Sequence, residues 1–208
     1  MKGKFIVFEG IDGCGKSLQT ELLRQNPLFS SCIFTKEHTT GVVGQLIDKV
    51  LQKKIILDPL ALQLLFVADR IDHLKTLIHP SLDQGLNVIS DRYFWSTVAY
   101  GSLVTDKKWL LQINKSCLIP DLVILLDLPP HVALQRISHS RLKKSLFEKM
   151  TTLSQVRKNY LWLARRFANS CLVVDATQSP EKIHEIVAKA IASFQNPSRA
   201  SSPKFHLA

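Results

Sequence analysis

Residues 121–130 read DLVILLDLPP, an unbroken apolar stretch closed by an aspartate and two prolines. It is too short for a membrane span and lacks the alternation of a half-exposed strand, so it predicts a strand covered on both faces. The same grammar recurs at 4–9 (KFIVFE), 31–35 (SCIFT), 85–91 (GLNVISD) and 170–176 (SCLVVDA). Helical patterns fill the intervals at 16–25, 42–53, 93–101, 105–117, 130–137 and 147–168, with a last one at 180–194. That last helix carries Ile183, Val187, Ala190, Ile191 and Phe194 on one face. A longer helix is expected from Asp58-Pro59 to about Ile78, with Asp58 as cap and Pro59 in the first turn. Its residues Leu60, Leu64, Val67, Ile71, Leu74 and Ile78 step by four and three, which predicts a core-facing stripe. Strands alternating with helices mean an α/β fold, a five-stranded parallel sheet flanked by helices. No repeat or linker divides residues 1–195, so one domain is expected. Residues 196–208, rich in Pro and Ser without period, read as a disordered tail.

Composition narrows the class. The chain has 208 residues, 46% of them hydrophobic, which fits one folded domain. No apolar run suffices to cross a bilayer, and the short FIVFEG after the basic start is too brief for a signal segment. A cytoplasmic protein without a membrane partner is therefore expected. Cys14, Cys32, Cys117 and Cys171 show no C-x-x-C spacing and read as reduced core or near-core thiols. The net charge of +10 suits either nucleic acid or small anions. Basic residues cluster at Arg136, Arg141, Lys143 and Lys144 and again at Arg157, Lys158, Arg165 and Arg166. Aromatics do not interleave with them and no nucleic-acid-binding motif occurs; a solvated basic face is the default reading of these clusters, and attraction of phosphates the sharper one.

The loop after the first strand says which anion. Gly10-Ile11-Asp12-Gly13-Cys14-Gly15-Lys16-Ser17 fits G-x-x-x-x-G-K-[ST] without a mismatch, with a strand before it and a helix after it. Its glycines let backbone N–H groups turn inward around phosphates, and the helix presents its positive dipole end. Lys16 reaches the β- and γ-phosphates, and Ser17 offers a hydroxyl to Mg²⁺. A nucleoside triphosphate is implied. A GTPase would also need N-K-x-D and D-x-x-G. Here NKSC (114–117) ends in Cys, and DQGL (83–86) places its Gly one position early.

With LLFVADR (64–70), SDRYFWSTVAYG (90–101), LLDLPP (125–130) and VVDATQSP (173–180) in order behind this loop, the sequence resembles the thymidylate kinase family from Phe5 to about Phe194. The resemblance implies a P-loop nucleoside-monophosphate-kinase-like fold with a short lid at about 137–148. It implies transfer of the ATP γ-phosphoryl to dTMP with Mg²⁺, and a homodimer. Phe66 and Arg70, i and i+4 on one helix, would stack on the pyrimidine and hydrogen-bond its carbonyl edge. Arg92 would clamp the acceptor phosphate, with Asp91 near Mg²⁺ beside Ser17. Thr97 would help hold the base, Tyr100 would pack on the sugar, and Asp12 would lie near the 3′-hydroxyl.

Gly13 occupies a position where some family members carry an arginine, so the transferring group would be met by a lid cation. Arg136 and Arg141 are the candidates, Arg141 foremost, supported by Lys143 and Lys144. Arg136 and Gln178 are also expected on the donor nucleotide, and Glu148 resembles the acidic residue after the lid. Two stretches depart from the family pattern. The usual EPGGT reads EHTTG (37–41), keeping Glu37 at the acceptor side, and the lid's usual DRxE reads SLFE (145–148) with Leu146 in the arginine's place. Rival readings are a kinase for another nucleotide or nucleoside, or a P-loop ATP-binding or switch protein.

Overall fold

A computed structural model describes residues 2–137 and 143–195. Strands β1 (Phe5–Glu9), β2 (Ile33–Lys36), β3 (Val88–Asp91), β4 (Leu122–Asp127) and β5 (Cys171–Asp175) form one parallel sheet in the order β2-β3-β1-β4-β5. Every residue of β1 is buried, as are the first five of β4, so the uninterrupted apolar runs have the expected cause, helices on both faces. The register aligns Phe8 with Asp91 and Glu9 with Leu125, and Asp127 with Asp175. The acidic carboxyl ends of β1, β3 and β4 therefore share one edge of the sheet. Chain order reverses around β1, and ligands of such sheets bind at that edge.

The connecting helices are α1 (Lys16–Gln25), α2 (Val42–Leu51), α3 (Pro59–His73), α4 (His79–Asp83), α5 (Phe94–Gly101), α6 (Lys107–Ile113), α7 (Pro130–Ile137), α8 (Lys143–Arg166) and α9 (Pro180–Gln195). Asp58 caps α3 as its spelling predicts, accepting a hydrogen bond from Leu60 N at 2.8 Å. The long helix does not stop near Ile78. A π-helical turn, Leu74–Ile78, carries it into α4.

The predicted stripe of α3 is corrected more substantially. Val67, Leu74 and Ile78 are buried, but Leu60, Leu64 and Ile71 are exposed. The inward face of α3 is shared with polar residues, since Gln63, Arg70 and His73 are buried there. Apolar side chains on the remaining arc must then face outward. The expected strand ends also contract: 31–35 becomes Ile33–Lys36, and 85–91 becomes Val88–Asp91.

The single core runs through the sheet and includes Phe5, Phe8, Ile124, Tyr160, Val187 and Ile191. Truncating a fully buried residue such as Ile124 to Ala is expected to cost about 2–5 kcal/mol. The four cysteines are buried and form no disulfide among the described residues. Among the described residues, no helix is long and apolar enough to cross a membrane.

Candidate active site

The phosphate loop joins β1 to α1 and turns at Gly10, Gly13 and Gly15, all with positive φ. Gly13 is fixed by its surroundings. A Cβ there would lie 2.9 Å from the Ala133 carbonyl oxygen and 2.9 Å from Ile137 Cγ1, both on α7, at a φ of +81°. A side chain at this position would strain the loop twice, by conformation and by contact. The absence of an arginine here is thus built into how α7 packs on the loop.

Lys16 is buried, and its Nζ donates to the carbonyls of Gly10 (2.9 Å) and Ile11 (3.1 Å), spanning the loop that it would serve. Cys14 is buried beside it, and burial pushes its thiol up, keeping it neutral. The Ser17 hydroxyl donates to Asp91 Oδ2 at 2.7 Å, while Asp91 Oδ1 is a buried oxygen with no hydrogen-bond partner among the described residues. A hydroxyl and a carboxylate with a spare buried oxygen, at a phosphate loop, are hard oxygen donors of the kind Mg²⁺ takes. Arg136 and Gln178 converge on the turn after β5: Arg136 Nη2 donates to Ala176 O (3.0 Å) and Gln178 Nε2 to Asp175 O (3.2 Å). Arg136 thus comes from the same helix, α7, that abuts Gly13 of the phosphate loop. Arg141 and the side chains of Lys143, Lys144, Leu146 and Glu148 fall outside the described residues, as does the tail 196–208.

Beside the loop opens a mainly apolar cavity of about 410 Å³, within the range of small-molecule sites. Every expected acceptor residue lines it: Asp12, Glu37, Phe66, Arg70, Arg92, Thr97 and Tyr100. They come from five separate stretches of chain. Phe66 shares the wall with His38, ring centroids 6.0 Å apart. Arg70 is 1% exposed and held on all sides. Its Nε donates to Glu37 Oε2 (2.8 Å), Nη2 to Thr97 Oγ1 (3.0 Å) and Nη1 to Asn114 Oδ1, and it lies over the Tyr93 ring. A buried guanidinium is tolerable only with such partners. Glu37 is braced in turn by His73 Nδ1 at 3.3 Å, whose Nε2 meets Thr35 Oγ1 at 2.7 Å.

Arg92 has φ +74°, an unusual conformation for a non-glycine residue. Its N–H donates to Phe8 O (2.9 Å), and its carbonyl accepts from Ser90 Oγ (2.8 Å), which hold it there. The guanidinium pairs with Asp12 of the phosphate loop, donates to Ser96 Oγ (2.9 Å) and sits over the Tyr100 ring. The Tyr100 hydroxyl accepts from Asp12 N at 3.1 Å, and burial raises its pKa, so it stays protonated.

Several residues here escaped the motif reading. Asp69 accepts from Thr39 N (2.8 Å) and Thr39 Oγ1 (2.6 Å), so the threonine that departs from the family loop supplies its own anchor to α3. Asn114 and His73 brace the base-side residues. Glu9, the one charged residue of β1, is fully buried, and burial lifts its carboxyl to about 7. The signal for Glu9 was present, a carboxylate inside an apolar strand. Asn114 and Asp69 had none, because their partners lie 44 and 30 residues away.

Comparison with known proteins agrees with this geometry. The family model described as thymidylate kinase matches residues 8–187. The probable thymidylate kinase of Methanococcoides burtonii is 40% identical over 200 residues, covering 93% of this chain and 98% of that protein. That of Pyrococcus horikoshii is 42% identical over 200 residues, covering 90% and 96%. Among solved structures, thymidylate kinase from Candida albicans superposes with a TM-score of 0.79 at 25% identity, covering 94% of this chain and 93% of that one. The enzyme from Ehrlichia chaffeensis gives 0.73 at 26% identity, covering 92% and 99%.

Proposed function

The chain belongs to the thymidylate kinase family, whose activity is phosphorylation of dTMP to dTDP with ATP as donor, and we propose how its residues divide that work. One observation carries the assignment: Asp12 belongs to the phosphate loop and also lines the acceptor cavity, where it is paired with Arg92. Donor and acceptor phosphates are thereby brought to a common edge, as direct transfer between them requires.

Phosphoryl transfer depends on positioning and on charge around the moving group. Lys16 and the loop N–H groups take the β- and γ-phosphates, with Arg136 and Gln178 toward the donor nucleoside. Ser17 and Asp91 would hold Mg²⁺, which would supply charge neutralisation for the donor phosphates. Arg92 clamps the dTMP phosphate and keeps it aimed at the loop. Arg141 is the lid cation for the transferring group. In the cavity, Phe66 stacks on thymine. Arg70 spends its donors on Glu37, Thr97 and Asn114 but retains an Nη1 hydrogen for the base's 4-carbonyl. The Tyr100 ring covers the sugar and leaves little room for a 2′-hydroxyl.

We propose that two copies pair, with the exposed apolar side chains of α2 and α3, among them Val42, Leu46, Leu60, Leu64 and Ile71, as the candidate surface. A Leu64→Asp variant should elute as a monomer on calibrated size exclusion, whereas wild type elutes as a dimer. The protein is assigned to the cytoplasm.

A panel of nucleoside monophosphates assayed with ATP·Mg²⁺ for ADP release tests the acceptor reading. dTMP should be the best acceptor, dUMP weaker, and UMP, CMP and dCMP poor. Preference for a cytosine or purine nucleotide overturns it, and ADP release independent of any acceptor would instead mark an ATP-hydrolysing switch protein.

A further inference from the structure

Glu9 ends the strand that leads into the phosphate loop, and its carboxyl sits among a cluster of donors. Its Oε1 accepts from the backbone N–H of Tyr93 (3.0 Å) and of Ser96 (3.1 Å). Its Oε2 accepts from Ser96 Oγ (2.6 Å) and from the Tyr160 hydroxyl (3.2 Å). All four partners donate, so the ionised carboxylate, the form that prevails above about pH 7, acts as an acceptor on every side. It thereby caps α5 from another strand, because Tyr93 at the N-cap position supplies no side-chain cap of its own.

The consequence reaches Arg92. The Ser96 hydroxyl has one hydrogen and two lone pairs. Glu9 takes the hydrogen, which turns a lone pair toward Arg92 Nη1 at 2.9 Å. Tyr160, from α8, lies 2.8 Å from the same Ser96 oxygen and shares its one hydrogen between that oxygen and Glu9 Oε2. Arg92 itself stands in a strained backbone conformation, so its guanidinium depends on such contacts to stay in place.

We propose that Glu9 is a positioning residue that acts through Ser96 to hold the Arg92 guanidinium at the acceptor phosphate. It does not touch substrate. The proposal rests on the reading of Arg92 as the acceptor clamp.

Three variants test it. Glu9→Gln keeps the shape but places an N–H₂ donor against Ser96 Oγ, where it competes with Arg92 for lone pairs. Ser96→Ala removes the intermediary while leaving Glu9 in place, and it decides the matter if Glu9→Gln does not fold. Either change should raise the KM for dTMP about tenfold, the effect of one lost charge-assisted hydrogen bond, while the KM for ATP is unchanged. In an Arg92→Ala background, Ser96→Ala should add nothing further, since its effect passes through the missing guanidinium. An unchanged KM for dTMP in Ser96→Ala, an equal rise in the KM for ATP, or full additivity with Arg92→Ala overturns the inference. An Arg92→Ala enzyme with normal KM for dTMP is a different failure, that of the clamp reading itself.

Discussion

Ser17 and Asp91, 74 residues apart in sequence, meet by a 2.7 Å hydrogen bond in which the serine donates, and Asp91 Oδ1 has no hydrogen-bond partner among the described residues. The contact joins the start of α1 to the end of β3, so the proposed metal site forms only when the β1–β3 register is in place. Asp91→Asn removes a negative charge but preserves the shape. The Mg²⁺ concentration for half-maximal activity should rise at least about tenfold, since a charged ligand is lost. A titration of rate against MgCl₂ at saturating ATP checks this, and an unchanged midpoint would remove Asp91 from the site.

Lys16→Ala deletes the loop's buried cation. The glycine turns remain, so the circular dichroism spectrum should be that of wild type. The kcat should fall at least ~10²-fold, because one charge-stabilising contact in such a site is worth roughly 3 kcal/mol. A folded variant with near-normal turnover would contradict the donor assignment.

Gly13→Ala probes the packing of α7 on the phosphate loop. The new Cβ meets a carbonyl oxygen at 2.9 Å and must adopt positive φ. Stability should drop by about 1–2 kcal/mol from the conformational penalty alone, more with the contact. Urea unfolding of the two proteins gives the difference. Equal midpoints would mean that α7 yields easily at this point.

Arg70→Ala tests base reading. Cytosine presents an amino group where thymine presents its 4-carbonyl, and two donors facing each other in a dry site leave both unsatisfied, at about 1–3 kcal/mol each. Wild type should reject dCMP for that reason. The variant should lose dTMP activity and narrow the ratio of dTMP to dCMP turnover. It should also lose stability, because Glu37 is then buried without its cation. A ratio that stays as large as in wild type would assign discrimination elsewhere.

Glu9 gives the fold a pH dependence of opposite sign to that of the usual ion-paired carboxylate. Burial raises its carboxyl from 4.5 to about 7, against the pull of the Ser96 hydrogen bonds and of the Arg92 and Lys16 charges. The folded protein therefore keeps this proton after the unfolded chain has released it. The contribution to stability is present below pH 4.5 and is lost as pH rises through about 7. Glu9→Gln does not titrate. Relative to wild type, its stability should improve by up to roughly 3 kcal/mol between pH 4.5 and 8. Urea midpoints at the two pH values measure the change, and a gap that does not vary with pH would refute the raised titration.

The parallel sheet, the phosphate loop and seven of the residues that line the cavity were legible in the chain alone. Those features are local: apolar runs mark the buried strands, the glycine spacing specifies the turn, and Phe66 and Arg70 share a helix face because they are four apart. How these pieces brace one another became visible only in the folded chain. Thr39 binds Asp69 across 30 residues, Arg70 binds Asn114 across 44, and Tyr160 reaches Glu9 across 151. No period in the chain encodes such pairings, since they depend on which elements pack side by side. The same holds for α3. Its apolar residues recur all around the helix, so periodicity alone cannot tell which arc is buried. The choice fell to Gln63, Arg70 and His73, polar residues that the cavity and the Glu37 network draw inward, leaving Leu60, Leu64 and Ile71 on the outside.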